Sequence, residues 1–337
     1  YLKLNMRNLN INNNLSISVL MSCFNGEQWI EEAIRSVLNQ SHPIDEFIIV
    51  NDGSTDKSLE IIKDFSEKDP RINFIDKNNT GLADSLNVGI QKCSSEWIAR
   101  IDIDDIWHVD KIVNQVEIIT KLHDLKFISG SMIEIDSNGK TIKKYKYPER
   151  NKNLRNNLLS LRKFPPHSSV MFKKSFVEEL GMYRKEIKRA EDHDLWLRIS
   201  EKTNLVCCNN SITYIRKHTD QISNELGGLA QNRDAFISIC CSYARRLKYM
   251  EPIYYSEYEF EQFKKSLDET LINFDFYKFF EAITYFKGFS NCKKVNDFQL
   301  SARYLIYFSY QFFFRAKYLK KISIKVLKES NIRLSKL

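Results

Sequence analysis

Residues 97 to 105 read WIARIDIDD, an apolar-rich run followed by three carboxylates, Asp102, Asp104 and Asp105, within four positions. A short apolar run bounded by polar residues reads as a buried strand, so the acids stand where that strand ends. Working outward, ISVLM (17–21), FIIV (47–50), INFI (72–75) and FISGSMI (127–133) read as strands too. Helical periodicity occupies 27–40, 57–68, 82–92 and 110–123. This alternation predicts an α/β fold, a mostly parallel sheet with helices on both faces. Ligands of such sheets bind beyond the carboxyl ends of the strands. Polar clusters fall at four of those ends: Asn25-Gly26-Glu27, Asn51 to Ser54, Asn78 to Gly81, and the three acids. Any one of them is ordinary turn or cap chemistry; four in succession point to a site.

Three carboxylates so close together repel, and burial raises their pKa values unless a cation is near. Mg²⁺ or Mn²⁺ resolves the conflict, since either takes one or two carboxylates and completes its shell with water and phosphate oxygens. Other phosphate and cation motifs fail. There is no G-x-x-x-x-G-K-[ST], and SCFNGEQW (22–29) is not G-x-G-x-x-G. An EF-hand loop begun at Asp102 would place Trp107 at its sixth position, where Gly is needed, and Val113 at its twelfth, where Glu is needed.

With 337 residues, 43% hydrophobic and 28% charged, the chain is long enough for one large domain or a domain with an appendage. Residues 1–15 lack the pattern of a secretory signal, and the chain opens on Tyr1. The seven cysteines form no C-x-x-C pair, which suits small buried apolar roles in a reducing compartment. Residues 301–337 carry nine basic residues against one acid, so the net charge of +8 belongs to this tail. The tail also holds YLIYFSYQFFF (304–314), too short to span a bilayer as a helix. Two readings stand for it, peripheral binding to an anionic membrane and ordinary helical core. No recognisable module supports nucleic-acid binding. Strand signals fade after about 228, which divides the chain into an extension (1–15), an α/β domain (16–225) and a helical, basic and aromatic-rich region (226–337).

SISVLMSCFNGEQWIEEAIRSVLNQS, IIVNDGSTDKS, NNTGLADSLNVGI, ARIDIDD and AEDHDLWLR, in this order, resemble the family 2 glycosyltransferases of the GT-A fold over about 16–223. The resemblance implies an inverting enzyme that moves a sugar from a nucleotide donor, usually uridine-linked, to a hydroxyl of a glycan or lipid-linked acceptor. It implies a cytoplasmic setting, or one on the inner face of the cell membrane, in surface polysaccharide assembly. By the same resemblance Ser22, Phe24, Asn25, Glu27 and Asp52 hold the nucleoside, with Asp52 accepting a uracil N–H. Gly81, Asn87, Arg100 and Asp102 line the donor pocket, and Asp104 or Asp105 binds the Mn²⁺ or Mg²⁺ that bridges the diphosphate. Asp192 of the Glu191-Asp192 pair is the expected general base, His167 falls near the sugar or acceptor, and His218 approaches the metal or diphosphate. The chain departs from the family pattern where Ser22-Cys23-Phe24 lacks a Pro and Asn51 replaces an Asp. The rival class is a noncatalytic nucleotide-sugar or glycan-binding module on the same fold. A nucleotidyltransferase would want a Gly-rich basic loop that SCFNGEQW lacks.

Overall fold

The computed structural model describes residues 15–147, 151–161, 164–218, 229–248, 250–254, 256–273 and 323–324. Its centre is a nine-stranded sheet. Strands β1 (Ile17–Cys23), β2 (Glu46–Asp52), β3 (Ile72–Lys77) and β4 (Trp97–Ile101) are parallel, in the order β3-β2-β1-β4. Every residue of β1 and β4 is buried, which explains why these strands read as mostly apolar runs rather than alternating ones. Alternate side chains enter two different cores. Leu20, Ile48, Val50 and Ile98 face one side with Leu86 and Ile90 of helix α3 (Leu82–Lys92). Val19, Met21, Phe47, Ile49, Ala99 and Ile101 face the other with Ile30, Ala33, Ile34 and Val37 of helix α1 (Ile30–Leu38) and Ile62 of helix α2 (Ser58–Lys68).

Beyond β4 the sheet becomes mixed. β8 (Met171–Lys173) runs antiparallel to both β4 and β6 (Phe127–Ile135), and β9 (Val206–Arg216) runs parallel to β6. Strand β5 (Ile106–Trp107) follows β4 by only four residues yet pairs with β9, while β7 (Thr141–Tyr145) forms a hairpin with β6. The sheet therefore curls, and residues 102–105 cross from the end of β4 toward the end of β9. Helix α4 (Lys111–Lys121) covers the β6–β9 side, and α5 (Asn151–Leu159) packs on α7 (Glu191–Lys202). Between them in sequence, the short helix α6 (Lys174–Glu179) follows β8.

Helices α8 (Leu229–Leu247) and α9 (Glu257–Asn273) continue the chain. Phe236, Ile239, Cys240 and Ala244 of α8 and Phe263 and Leu267 of α9 share one apolar cluster with Leu195, Trp196 and Leu197 of α7. The boundary expected near 225, and the tail run 304–314, lie outside the described residues. Among those residues the six cysteines are buried and unbridged, and no helix is long and apolar enough to cross a membrane.

Candidate active site

Register brings the four polar strand ends to one edge: Cys23 pairs with Asn51, Asn51 with Asp76, and Met21 with Ile101. After β1 the chain forms a fastened turn. The Asn25 N–H donates to Ser54 Oγ (3.0 Å) and its Oδ1 accepts the Thr55 N–H (2.8 Å). The Glu27 N–H donates to Asp56 Oδ2 and the Glu27 carboxylate accepts the Lys57 N–H, both at 2.9 Å. Gly26 lies so close to Ile103 that a Cβ there would collide with it. Asn25 and Glu27 thus lock the first two loops together. Phe24, 48% exposed, is the group this turn offers outward, with Ser22 buried at its root.

Asp52 is almost wholly buried and accepts three hydrogen bonds. Its Oδ1 takes Lys77 Nζ (2.5 Å) and the Thr80 N–H (3.0 Å), and its Oδ2 takes the Gly81 N–H (2.9 Å). Burial alone would raise its pKa, but these donors outweigh it and hold the carboxyl below its ordinary value. The Ser85 hydroxyl also acts on this carboxylate. Gly81 makes this cradle possible, because its φ of 96° and ψ of 163° belong to a region only glycine occupies comfortably. Asn87 spends both ends of its amide on the Tyr183 backbone, donating to O (2.8 Å) and accepting from N (2.9 Å). Tyr183 OH in turn meets His167 Nε2 at 2.7 Å. His167 is buried against Trp196, and burial keeps the imidazole neutral.

The two acidic motifs meet around Arg100. This guanidinium is fully buried and ion-paired with Asp102. Burial is the largest single influence and would raise the Asp102 pKa, but Arg100, His167 and the Ser168 hydroxyl together outweigh it and hold the carboxyl below its ordinary value. Ser168 clamps the acidic turn from below: its Oγ accepts the Asp102 N–H (2.9 Å) and lies 2.8 Å from Asp102 Oδ2, and it also contacts Asp105. The other oxygen of Asp105 accepts the Arg216 N–H (3.2 Å). Burial and the neighbouring charges of Asp104 and Asp102 push Asp105 well above the ordinary carboxyl range. Of the two expected metal-binding acids, Asp105 is therefore engaged with the protein behind the turn.

Asp104 is the more open acid, and its Oδ2 stands 3.0 Å from His218 Nε2. A carboxylate oxygen and an imidazole nitrogen are suitable donors for Mn²⁺ or Mg²⁺. Among the described residues no group of three or more His, Cys, Asp and Glu side chains is arranged for a metal. A cation at Asp104 and His218 would draw its remaining ligands from water and diphosphate, as these ions commonly do.

Glu191 and Asp192 open helix α7, where the helix dipole favours anions. Burial and the charge of Asp192 push Glu191 up to about 8. Burial and the Asp102 charge push Asp192 up to about 6, against the opposing effects of the His193 N–H and Arg100. Near neutral pH the first is largely protonated and the second largely ionised, a separation typical of acid–base sites. The next acid, Asp194, is spent structurally, accepting Arg198 Nε at 2.9 Å.

Ser168, Lys77, Trp29 and Arg216 escaped the sequence reading. Ser168 and Lys77 are common polar residues whose acidic partners, Asp102 and Asp105 for the first and Asp52 for the second, lie well away along the chain. Arg216 ends β9 beside Lys217, where a basic pair reads as surface, and Trp29 sits within an amphipathic pattern where it reads as core.

A family model described as Glycosyl transferase family 2 matches residues 18–181. An uncharacterized glycosyltransferase of Haemophilus influenzae is 33% identical over 222 residues, covering 62% of this chain and 67% of that one. The O-antigen biosynthesis glycosyltransferase WbnJ of Escherichia coli is 30% identical over 232 residues, covering 68% and 87%. The match spans only 29% of a Rickettsia bellii glycosyltransferase that is 30% identical. Among solved structures, S. aureus TarS 1-349 in complex with UDP-GlcNAc superposes with a TM-score of 0.56 at 17% identity, covering 68% of this chain and 66% of that one. The mannosyltransferase PcManGT from Pyrobaculum calidifontis, in complex with GDP-Man and Mn²⁺, gives 0.50 at 18% identity, covering 68% and 64%.

Proposed function

The chain belongs to glycosyl transferase family 2, with the GT-A fold, and on that premise we propose an inverting, metal-dependent transfer of a sugar from a nucleotide donor, UDP-linked, to a hydroxyl acceptor. The observation that carries this reading is the meeting of the 102–105 turn and the Glu191-Asp192 helix start around Arg100, with the two α7 carboxyls separated in pKa. Phe24 offers its ring to the base, and the Asp52 carboxylate accepts a base N–H. Asp102 and Arg100 form a fixed pair beneath the donor. Asp104 and His218 hold the cation, which when bound supplies positive charge to the departing diphosphate.

Asp192 takes the proton of the acceptor hydroxyl as its oxygen bonds to the anomeric carbon and the bond to the diphosphate breaks. A single displacement inverts the anomeric centre. Glu191, largely protonated, keeps a second negative charge away from the attacking oxygen. The structures bound to UDP-GlcNAc and to GDP-Man with Mn²⁺ support a nucleotide-sugar donor and a divalent cation. The likeness to WbnJ supports a surface polysaccharide or lipid-linked acceptor.

The test is nucleotide release from a panel of UDP-, GDP- and dTDP-sugars with Mn²⁺, for wild type and Asp192→Asn. Expected is release from one donor, with the variant slowed by roughly 10² or more at unchanged donor affinity. Full activity in the variant would remove Asp192 from the mechanism.

A further inference from the structure

Trp29 lies two residues beyond the nucleoside turn, and its backbone N–H closes that turn on the Gly26 carbonyl (2.9 Å). Its half-buried indole faces the end of β9. Arg216 and His218, two positions apart on the same chain segment, both meet it: the Arg216 guanidinium lies 4.5 Å from the ring centroid, and the His218 ring lies 5.4 Å away at 36°. Both contacts are within the range of cation–π and offset aromatic attraction.

Arg216 is itself fixed on several sides. Its Nε donates to the Asp104 carbonyl (3.2 Å), its Nη1 to the Ser137 carbonyl (3.1 Å), and its Nη2 pairs with Glu32 of α1 (2.5 Å). The side chain is nearly inaccessible to solvent. One residue thus ties helix α1, the 102–105 turn, the β6–β7 hairpin and β9 together. Trp29 is the surface on which the arginine and the imidazole both rest.

Resting on the reading of Asp104 and His218 as the cation-holding pair, we propose that Trp29 and Arg216 are its positioning residues. Arg216 sets the Asp104 backbone, and Trp29 sets the plane of the His218 ring. The two donor atoms are thereby held 3.0 Å apart. That spacing is a hydrogen bond, and it is also about the separation of neighbouring ligands around an octahedral ion with bonds of ~2.1 Å. Neither Trp29 nor Arg216 offers a metal ligand, so their effect on the cation passes through the groups they hold.

The experiment is Mn²⁺ binding to the full chain by electron paramagnetic resonance, without and with UDP, for wild type, Trp29→Ala, Trp29→Phe and Arg216→Lys. Thermal unfolding is followed alongside, as is UDP affinity without metal. Losing an outer support of a metal ligand costs about 10- to 100-fold in affinity. Trp29→Ala and Arg216→Lys are expected to weaken Mn²⁺ binding by about 10-fold or more, with metal-free UDP affinity retained. Trp29→Phe, which keeps a ring for His218 to rest on, is expected to restore binding close to wild type. Wild-type Mn²⁺ affinity in folded Trp29→Ala or in Arg216→Lys overturns the proposal, as does an equal loss of metal-free UDP binding, which would mark a general structural role. A wild-type protein that binds no Mn²⁺ in either condition overturns the cation reading itself, a failure distinct from insensitivity of the variants.

Discussion

Replacing Glu191 by Gln removes a titratable group while keeping its shape at the start of α7, and its effect can be worked from the burial and charges around it. In the unfolded chain this carboxyl ionises near its ordinary value of 4.5; in the folded protein burial and the Asp192 charge move it to about 8. Between those values the folded state holds the extra proton. The carboxyl therefore favours folding least at high pH: its contribution is constant below about 4.5 and is lost as pH rises through 8. At ~1.4 kcal/mol per unit the full difference would approach ~5 kcal/mol. Because Glu191 and Asp192 titrate together, the shift belongs to the pair and the part falling on this residue is smaller than that. The assay is thermal unfolding of wild type and Glu191→Gln at pH 5 and pH 9, without divalent cations. The variant should gain about 2–3 kcal/mol relative to wild type between the two conditions, or roughly 3–4 °C in Tm for a chain of this size. A Tm difference that stays the same at both pH values would refute the placement of an ionisable Glu191 in this charged, buried setting.

The base role of Asp192 predicts a kcat that rises with pH through about 6 and flattens above it; in Asp192→Asn the rise should vanish, and a limb kept by the variant would belong to another group. Asp104→Ala should abolish measurable Mn²⁺ binding with little loss of stability. Asp105→Ala should cost about 1–3 kcal/mol in denaturant unfolding, because it strands the buried Arg216 N–H; the reverse pattern would exchange their roles. At Gly81 a Cβ would meet open space, so Gly81→Ala isolates backbone strain. It should lower stability by about 1–3 kcal/mol and weaken nucleotide binding through Asp52; stability equal to wild type would show that the loop relaxes freely.

The parallel half of the fold was legible because strands buried on both faces are largely apolar, and the middles of β1, β2 and β4 read so: VLM (19–21), FIIV (47–50) and WIA (97–99). β9 was hidden for the opposite reason. Its run VCCNNSITYIR mixes Asn, Ser and Thr with apolar residues around a register shift opposite Gly130/Ser131, which erases the period on which recognition depends. The site divides in the same way. Asp104, Asp192 and His218 announce themselves as charged or metal-ligating groups in recognisable local patterns. Asn25 and Glu27 carry the same kind of signal, yet they fasten one loop to another. Local sequence does not distinguish a polar side chain that binds a ligand from one that binds the next turn. Ser168 reaches Asp102 across 66 positions, and Arg216 reaches Glu32 across 184. Such partners are set by the curl of the sheet, which no single segment encodes.

The most direct test is calorimetric titration of the protein with UDP-, GDP- and dTDP-sugars, each with and without Mn²⁺, repeated on Asp104→Ala. Binding of one donor that strengthens markedly with Mn²⁺ in wild type, and no longer does so in the variant, is the predicted result. Donor binding indifferent to Mn²⁺, or equally metal-dependent after Asp104 is removed, would contradict the assignment of these acids to a metal–diphosphate.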